Sequence, residues 1–171
     1  MVATIVSSDA DNTVFVDGEI AVNSAGKISY VGAQRGPLRE GDIDAAGAVV
    51  MPGLVNGHTH SAMTPLRGLS DSKDLAAWLS DMRRFEIRMT ETDLLWALRL
   101  ALVEMLRGGT TSFIDMFYWN STLISDVLAS GMRVNAGPAI AGYDSVAFPA
   151  VSSEDGRTTL DTTEQLGAEF S

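Results

Sequence analysis

The spacing of apolar and polar positions changes character near residue 49. Before that point apolar residues come in short runs separated by turn formers. They predict strands at Ala3 to Ser7, Thr13 to Val16, Glu19 to Val22 and Lys27 to Val31, with Asp17-Gly18 and Ala25-Gly26 as the turns. Residues 1–48 thus read as a segment of a small β-sandwich. From Val49 onward strands alternate with amphipathic helices, the texture of a parallel sheet in an α/β fold. The apolar run Val49 to Val55 is the first such strand. Leu75, Trp78, Leu79, Met82 and Phe85 recur at three- and four-residue spacing and predict a helix over 73–85, with Ser72 as its cap and Asp74 in its first turn. Thr90 and Asp93 form a capping box for a helix from Glu91 to Arg107, whose stripe is Leu94, Leu98, Ala101, Leu102 and Met105 and which Gly108-Gly109 stops. A second strand follows at Thr110 to Met116, then a helix over 121–130 capped by Asn120 and ended by Gly131, and a third strand at Met132 to Ile140. A last helix is expected from near Thr159, carrying Leu160 and Leu166. Residues 49–171 hold three strand-and-helix units, too few to close a barrel.

Composition narrows the class. A chain of 171 residues with 46% hydrophobic and 20% charged residues suits one ordinary soluble domain. The formal net charge of -10 and pI near 4.5 argue against a nucleic-acid or anionic-membrane partner, both of which attract basic patches. With no cysteine, neither a disulfide framework nor a thiolate metal site is available, so any metal is held by nitrogen and oxygen. The first residues lack a signal-peptide pattern, and no apolar stretch reaches the ~18 residues of a membrane span. A cytoplasmic location is expected.

The candidate chemistry is concentrated in Pro52-Gly-Leu-Val-Asn-Gly-His58-Thr-His60, which contains both histidines of the chain. In an extended strand residues i and i+2 project to one side, so both imidazoles converge on one ion. Taken alone, a His-x-His pair on a strand is more often a surface feature than a metal site. Here Gly53 and Gly57 bracket the strand, and the pair falls where it gives way to Ser61, Pro65 and Gly68, the carboxyl end at which α/β folds place functional groups. Imidazole suits zinc, iron, copper or nickel, and catalytic zinc takes three or more protein ligands. His58 and His60 are therefore at most half of a site.

The segment Asp44-Ala-Ala-Gly47-Ala-Val-Val-Met-Pro52-Gly-Leu-Val-Asn-Gly-His58-Thr-His60 resembles the metal-dependent amidohydrolase superfamily. Within it, the resemblance is to the branch of S-adenosylhomocysteine and methylthioadenosine deaminases, cytosine and guanine deaminases and chlorotriazine hydrolases. Gly26-Lys-Ile-Ser-Tyr-Val-Gly32, Leu66-Arg-Gly-Leu69 with Trp78-Leu79, and Gly109-Thr-Thr-Ser-Phe-Ile-Asp-Met116 extend it over nearly the whole chain. The resemblance implies the N-terminal part of a (β/α)8 TIM barrel preceded by part of a β-sandwich. It makes His58 and His60 metal ligands, for zinc first and iron as the other candidate. Two further histidines, an aspartate and a proton-shuttling glutamate of the family have no counterpart in these residues. On the substrate side it matches Glu86 to a glutamate that accepts hydrogen bonds from ribose hydroxyls and Trp78 to a pocket-wall tryptophan. The competing structural roles are an ion pair of Glu86 with Arg83 or Arg84 on a solvated face and a place for Trp78 on the apolar stripe of its helix. Asp115 is expected at the functional rim as a hydrogen-bonding residue, with Phe117, Tyr118 and Trp119 lining the pocket; a histidine that some members carry near Trp119 is absent.

The implied reaction is attack of a metal-activated water on an electron-poor ring carbon, with ammonia leaving from an aminopurine or aminopyrimidine, or chloride from a chlorotriazine. Two expectations of different class follow. Either the chain is the N-terminal portion of a hydrolytic deaminase, inactive without a complementary polypeptide carrying the remaining strands, or it is a non-enzymatic domain that covers its sheet by homo-oligomerisation. On both, the inner face of the sheet, with Phe113, Val134 and Ala136 among its candidates, lacks neighbours within these residues.

Overall fold

A computed structural model describes residues 3–139 and 153–170, divided between two units, Met1–Gly53 and Leu54–Ser171. In the first unit, β1 (Ala3–Val6), β2 (Val14–Val22), β3 (Ile28–Ala33) and β4 (Val49–Val50) form one sheet in the order β3-β2-β1-β4. β1 to β3 are antiparallel neighbours and β4 runs parallel to β1. The expected turn at Asp17-Gly18 is instead a bulge inside a single strand. Asp17 has φ 59°, and the pairing slips from Ala3↔Gly18 to Ile5↔Phe15. Gly18 is required there because an added Cβ would meet the Ile5 side chain at 2.5 Å. The sequence signal of a turn and of a glycine bulge is the same dipeptide; strand pairing decides between them.

The second unit is a parallel sheet, β5 (Leu54–Thr59), β6 (Thr110–Phe117) and β7 (Arg133–Pro138), in sequence order. The run Val49 to Val55 is thus divided: Val49–Val50 pairs with β1, and the histidine strand begins only at Leu54. Pro52, which has no N–H to donate, lies in the break. A 3₁₀ turn, Ser61–Leu66, follows β5 and leads to α1 (Leu75–Glu86) and α2 (Glu91–Arg107). α1 starts later than expected, because Asp74 and not Ser72 is its cap, accepting from the Ala77 N–H at 2.9 Å. The Thr90–Asp93 capping box of α2 forms as its sequence predicts. At its end Gly109 takes φ 83°, a left-handed conformation that sends the chain straight into β6. α3 (Ser121–Ala129) is capped by Asn120. α4 (Ser153–Phe170) begins before Thr159, its start masked in the sequence by the poor helix former Gly156. The expected end of the third strand, Ile140, lies outside the described residues.

One face of the parallel sheet is covered by helices. Leu98 and Leu102 of α2, Phe113 of β6, Leu123 and Val127 of α3 and Leu166 of α4 form a buried cluster, with Val134 and Ala136 packed on it. The expectation that Phe113, Val134 and Ala136 face away from neighbours is therefore reversed. Register puts Phe113 beside Val134 and Asp115 beside Ala136, all on the helix side. The uncovered face is the alternate set, and Val55, Ile114 and Met116 are 67%, 47% and 45% exposed. α1 is also sparsely covered: of its stripe only Met82 is buried, and Leu75 and Phe85 are exposed. Among the described residues no helix is long and apolar enough to cross a membrane.

Arg99 of α2 grips Asp126 of α3 with two bonds, Nε to Oδ2 at 2.9 Å and Nη2 to Oδ1 at 2.6 Å. The pairing holds the Asp126 carboxyl below the ordinary aspartate value. A depressed pKa contributes stability that is present above the unfolded value and lost as pH falls through the folded one. Asp126→Asn is therefore expected to cost up to about 1 kcal/mol at pH 7 in urea titrations, and nothing once the pH is well below about 3.9, the unfolded aspartate value. An equal cost at both pH values would refute the ion-pair explanation.

Candidate metal centre and its substrate side

His58 lies within β5 and His60 is the residue immediately before the 3₁₀ turn, so both stand at the carboxyl end of the parallel sheet. Their ring centroids are 4.9 Å apart with the planes at 85°, which places both imidazoles on one side of the strand end. His60 Nδ1 is 2.6 Å from the carbonyl oxygen of Met116 on β6. A carbonyl only accepts, so in the neutral ring the proton sits on Nδ1, and Nε2 presents its lone pair outward. That is the arrangement in which a second bond fixes the tautomer and angle of a metal-binding imidazole.

The turn carrying His60 is anchored beneath. Asp115 is buried, and its Oδ2 accepts from the Ser61 backbone N–H at 2.6 Å while Oδ1 accepts from Trp119 Nε1 at 3.1 Å. Burial pushes the Asp115 carboxyl up, against the bonds from Ser61 and Trp119 and the charge of His60, which favour ionisation. Asp115 is thus the hydrogen-bonding residue expected from sequence. Phe117 and Trp119, expected to line a pocket, are instead core residues, Phe117 against Ala62 and Ala97 and Trp119 in the main cluster. Only Tyr118 of that trio remains partly exposed.

A cleft of about 390 Å³ opens beside His60, lined by Thr59, His60, Ser61, Thr64, Trp78 and Met82 among others. Trp78 is half-buried and contributes to that wall. A larger open groove, about 1090 Å³, lies on the first unit. It contains neither histidine, and its Glu19 and Arg35 are bound to each other at 2.6 Å.

The Glu86 side chain, at the end of α1, is only 8% exposed, and its partner is Arg83, with Nη1 to Oε2 at 3.8 Å. The alternative partner Arg84 instead approaches Asp81, at 4.0 Å. Burial pushes the Glu86 carboxyl up, opposed by the charges of Arg83 and His60. Glu86 therefore does not occupy a solvated face; it lies within electrostatic reach of His60. Arg83 Nη1 also donates to the Tyr118 hydroxyl. Neither the Met116 carbonyl nor the Arg83–Tyr118 bond has a sequence signature, because one is backbone and the other joins residues 35 apart. Among the described residues no group of three or more His, Asp or Glu could enclose a metal ion. His58 and His60 fit one as a pair of donors.

The sequence model of the amidohydrolase family matches residues 49–170. A 5-methylthioadenosine/S-adenosylhomocysteine deaminase of Halobacterium salinarum is 38% identical over 152 residues, which is 88% of this chain and 33% of that protein. Two solved structures superpose over 96% of the chain. An adenosine deaminase from Xanthomonas campestris with bound zinc does so with TM-score 0.70 and 25% identity over 39% of its own length. A guanine deaminase from C. acetobutylicum does so with TM-score 0.75 and 19% identity over 41% of its length. The chain spans about a third of the length of the curated relatives it matches.

Proposed function

The chain belongs to the amidohydrolase family, and from that premise we propose that it is the metal-anchoring, N-terminal part of a hydrolase that deaminates an aminopurine or a related N-heterocycle. The observation that carries the reading is the pair of converging imidazoles, one oriented by the Met116 carbonyl, at the carboxyl end of a parallel sheet. His58 and His60 would hold a divalent cation, zinc before iron, whose chemistry is to lower the pKa of a water towards ~7. The names of the deaminase relatives and the zinc in one structural neighbour support it.

The chain's own residues divide the remaining work. The Met116 carbonyl holds the His60 ring and Asp115 holds the backbone of the turn that follows it, so His60 would be oriented before a cation binds. Trp78 forms an apolar wall where a heterocycle can stack, and Glu86, half-buried with Arg83 3.8 Å away, accepts hydrogen bonds from substrate hydroxyls. The sandwich segment, expected over residues 1–48, extends through Val49–Val50 to Gly53, and residues 54–171 supply the first three units of a (β/α)8 barrel. The exposed face bearing Val55, Ile114 and Met116 is then covered by the remaining strands, carried by the same or a complementary polypeptide.

Two imidazoles are fewer than the three protein ligands of a catalytic zinc. The 171-residue polypeptide by itself is accordingly expected to release no ammonia from adenosine-type, guanine or cytosine substrates, and the protein with the remaining barrel strands to do so in a chelator-sensitive manner. Chelator-sensitive ammonia release by the 171 residues alone, or none from any of these substrates by the complete protein, would overturn the proposal.

A further inference from the structure

We propose that the outward face of α2 is a two-fold interface on which a second copy of this protein docks, antiparallel and centred on Leu100. α2 carries two apolar stripes. Leu98, Ala101 and Leu102 are buried on the sheet side, whereas Trp96, Leu100 and Val103 lie on the opposite side and are 63%, 47% and 52% exposed. A surface helix needs only the first stripe; the second marks a contact surface. The strands that complete a barrel join the sheet beneath α2, and the inference rests on the barrel reading only in that this side stays outermost. Trp96 is held ready for contact. The Arg99 guanidinium lies 5.0 Å from its ring centroid and is itself fixed by two bonds to Asp126 of α3. An exposed but ordered tryptophan is the residue type that dominates binding at the centre of interfaces.

The charges around the stripe identify what covers it. Glu104 is neutralised by Arg67 and Asp126 by Arg99, so neither requires an outside partner. Two exposed charges remain on this face, one at each end. Asp93 accepts both Thr90 bonds through Oδ2 alone, and Arg107 forms no ion pair among the described residues. They stand about 21 Å apart along the axis, with Leu100 midway. Turning one copy end over end about Leu100 brings each Asp93 to the Arg107 of the other copy, sets Trp96 against Leu100 and Val103, and opposes the two helix dipoles. Matching both ends requires the shallow crossing of about 20°, since axes crossed at about 50° separate the ends. A partner of different sequence would have to supply an acid and a base at this spacing, whereas a second copy supplies both by symmetry. With a formal net charge of -10, two copies repel over most of their surface, and this locally neutral face is where they can meet. One helix face is smaller than the ~800 Å² per partner of a standard interface, so a dimer of about micromolar affinity is expected.

Sedimentation velocity of the full-length protein is expected to show a monomer–dimer equilibrium across about 1–100 μM. Trp96→Ala should weaken dimerisation about thirtyfold or more and Arg107→Glu about tenfold or more, both without loss of thermal stability because both side chains are exposed. Arg107→Lys, which keeps the charge, should retain most of the association. Leu100→Cys, placed on the axis, should on air oxidation give a disulfide joining two copies through that residue, identified by peptide mapping. A protein that stays monomeric at about 100 μM overturns the inference, whether its own later segments or a different protein covers the stripe. So does a dimer that Trp96→Ala leaves intact, or oxidised Leu100→Cys protein without the cross-link. None of these readouts involves turnover, so their failure leaves the deaminase reading standing, and absence of ammonia release leaves the interface standing.

Discussion

His60→Ala in the full-length protein is expected to lose stoichiometric metal and about a thousandfold or more in hydrolytic turnover, and His58→Ala to behave alike. Each imidazole supplies a nitrogen donor, and these 171 residues hold no cysteine to replace it. The His60 ring is already fixed by its 2.6 Å contact with the Met116 carbonyl, so binding a cation there requires little ordering. Removing it forfeits that preorganisation as well as a ligand. Metal content after dialysis, measured by atomic emission beside kcat, decides the matter. Full metal occupancy with unaltered turnover in either variant would show that the pair is only a surface feature of the strand end. A loss of turnover with the metal retained would move the histidines from ligation to some other role.

The second large effect lies in the support under that site. Asp115 accepts from two donors, the Ser61 N–H and Trp119 Nε1, and is itself buried. Asp115→Ala leaves both donors unpaired in a low-dielectric interior and opens a void, a combined cost of about 3–5 kcal/mol. Asp115→Asn is the sharper variant. An amide has one accepting oxygen, so one of the two donors must face its NH₂ group, at about 1–3 kcal/mol. Because Ser61 follows His60 directly, metal affinity should fall further in Asp115→Asn than in a core variant of equal cost such as Ile124→Val, in which the turn is untouched. Urea unfolding and metal titration of the same samples measure both quantities. A fully stable Asp115→Asn protein with unchanged metal affinity would refute the tether.

How much was legible beforehand varies by element. α2 was readable to the residue because local terms agree: a capping box at Thr90, a continuous apolar stripe, and a glycine pair at the end. α1 was readable in kind but not in its start, since Ser72 and Asp74 are both competent caps and only the folded chain shows which carboxylate or hydroxyl reaches an N–H. Asp17-Gly18 was misread because a turn and a bulge share a sequence signal, and strand pairing chooses. The faces of β6 and β7 were assigned in reverse. Alternation in β7 sets Val134 and Ala136 apart from Arg133 and Asn135, and so groups residues by face, but it does not say which face the helices cover; that is decided by the packing of α2, α3 and α4.

For the candidate site the same division holds. The sequence by itself determined the chemistry: the His-x-His spacing, the absence of thiolates, the acidic charge and the family pattern all follow from residue identity and period, which no fold can change. Only the tertiary structure decided which groups meet. It set the proton on His60 Nδ1 through a carbonyl 56 residues away, tied Ser61 to Asp115 across 54 residues, consigned Phe117 and Trp119 to the core, and brought Arg83 to Tyr118. These are contacts between segments distant along the chain. Their partners are backbone atoms or common surface residue types, so nothing local marks them until packing has placed both ends.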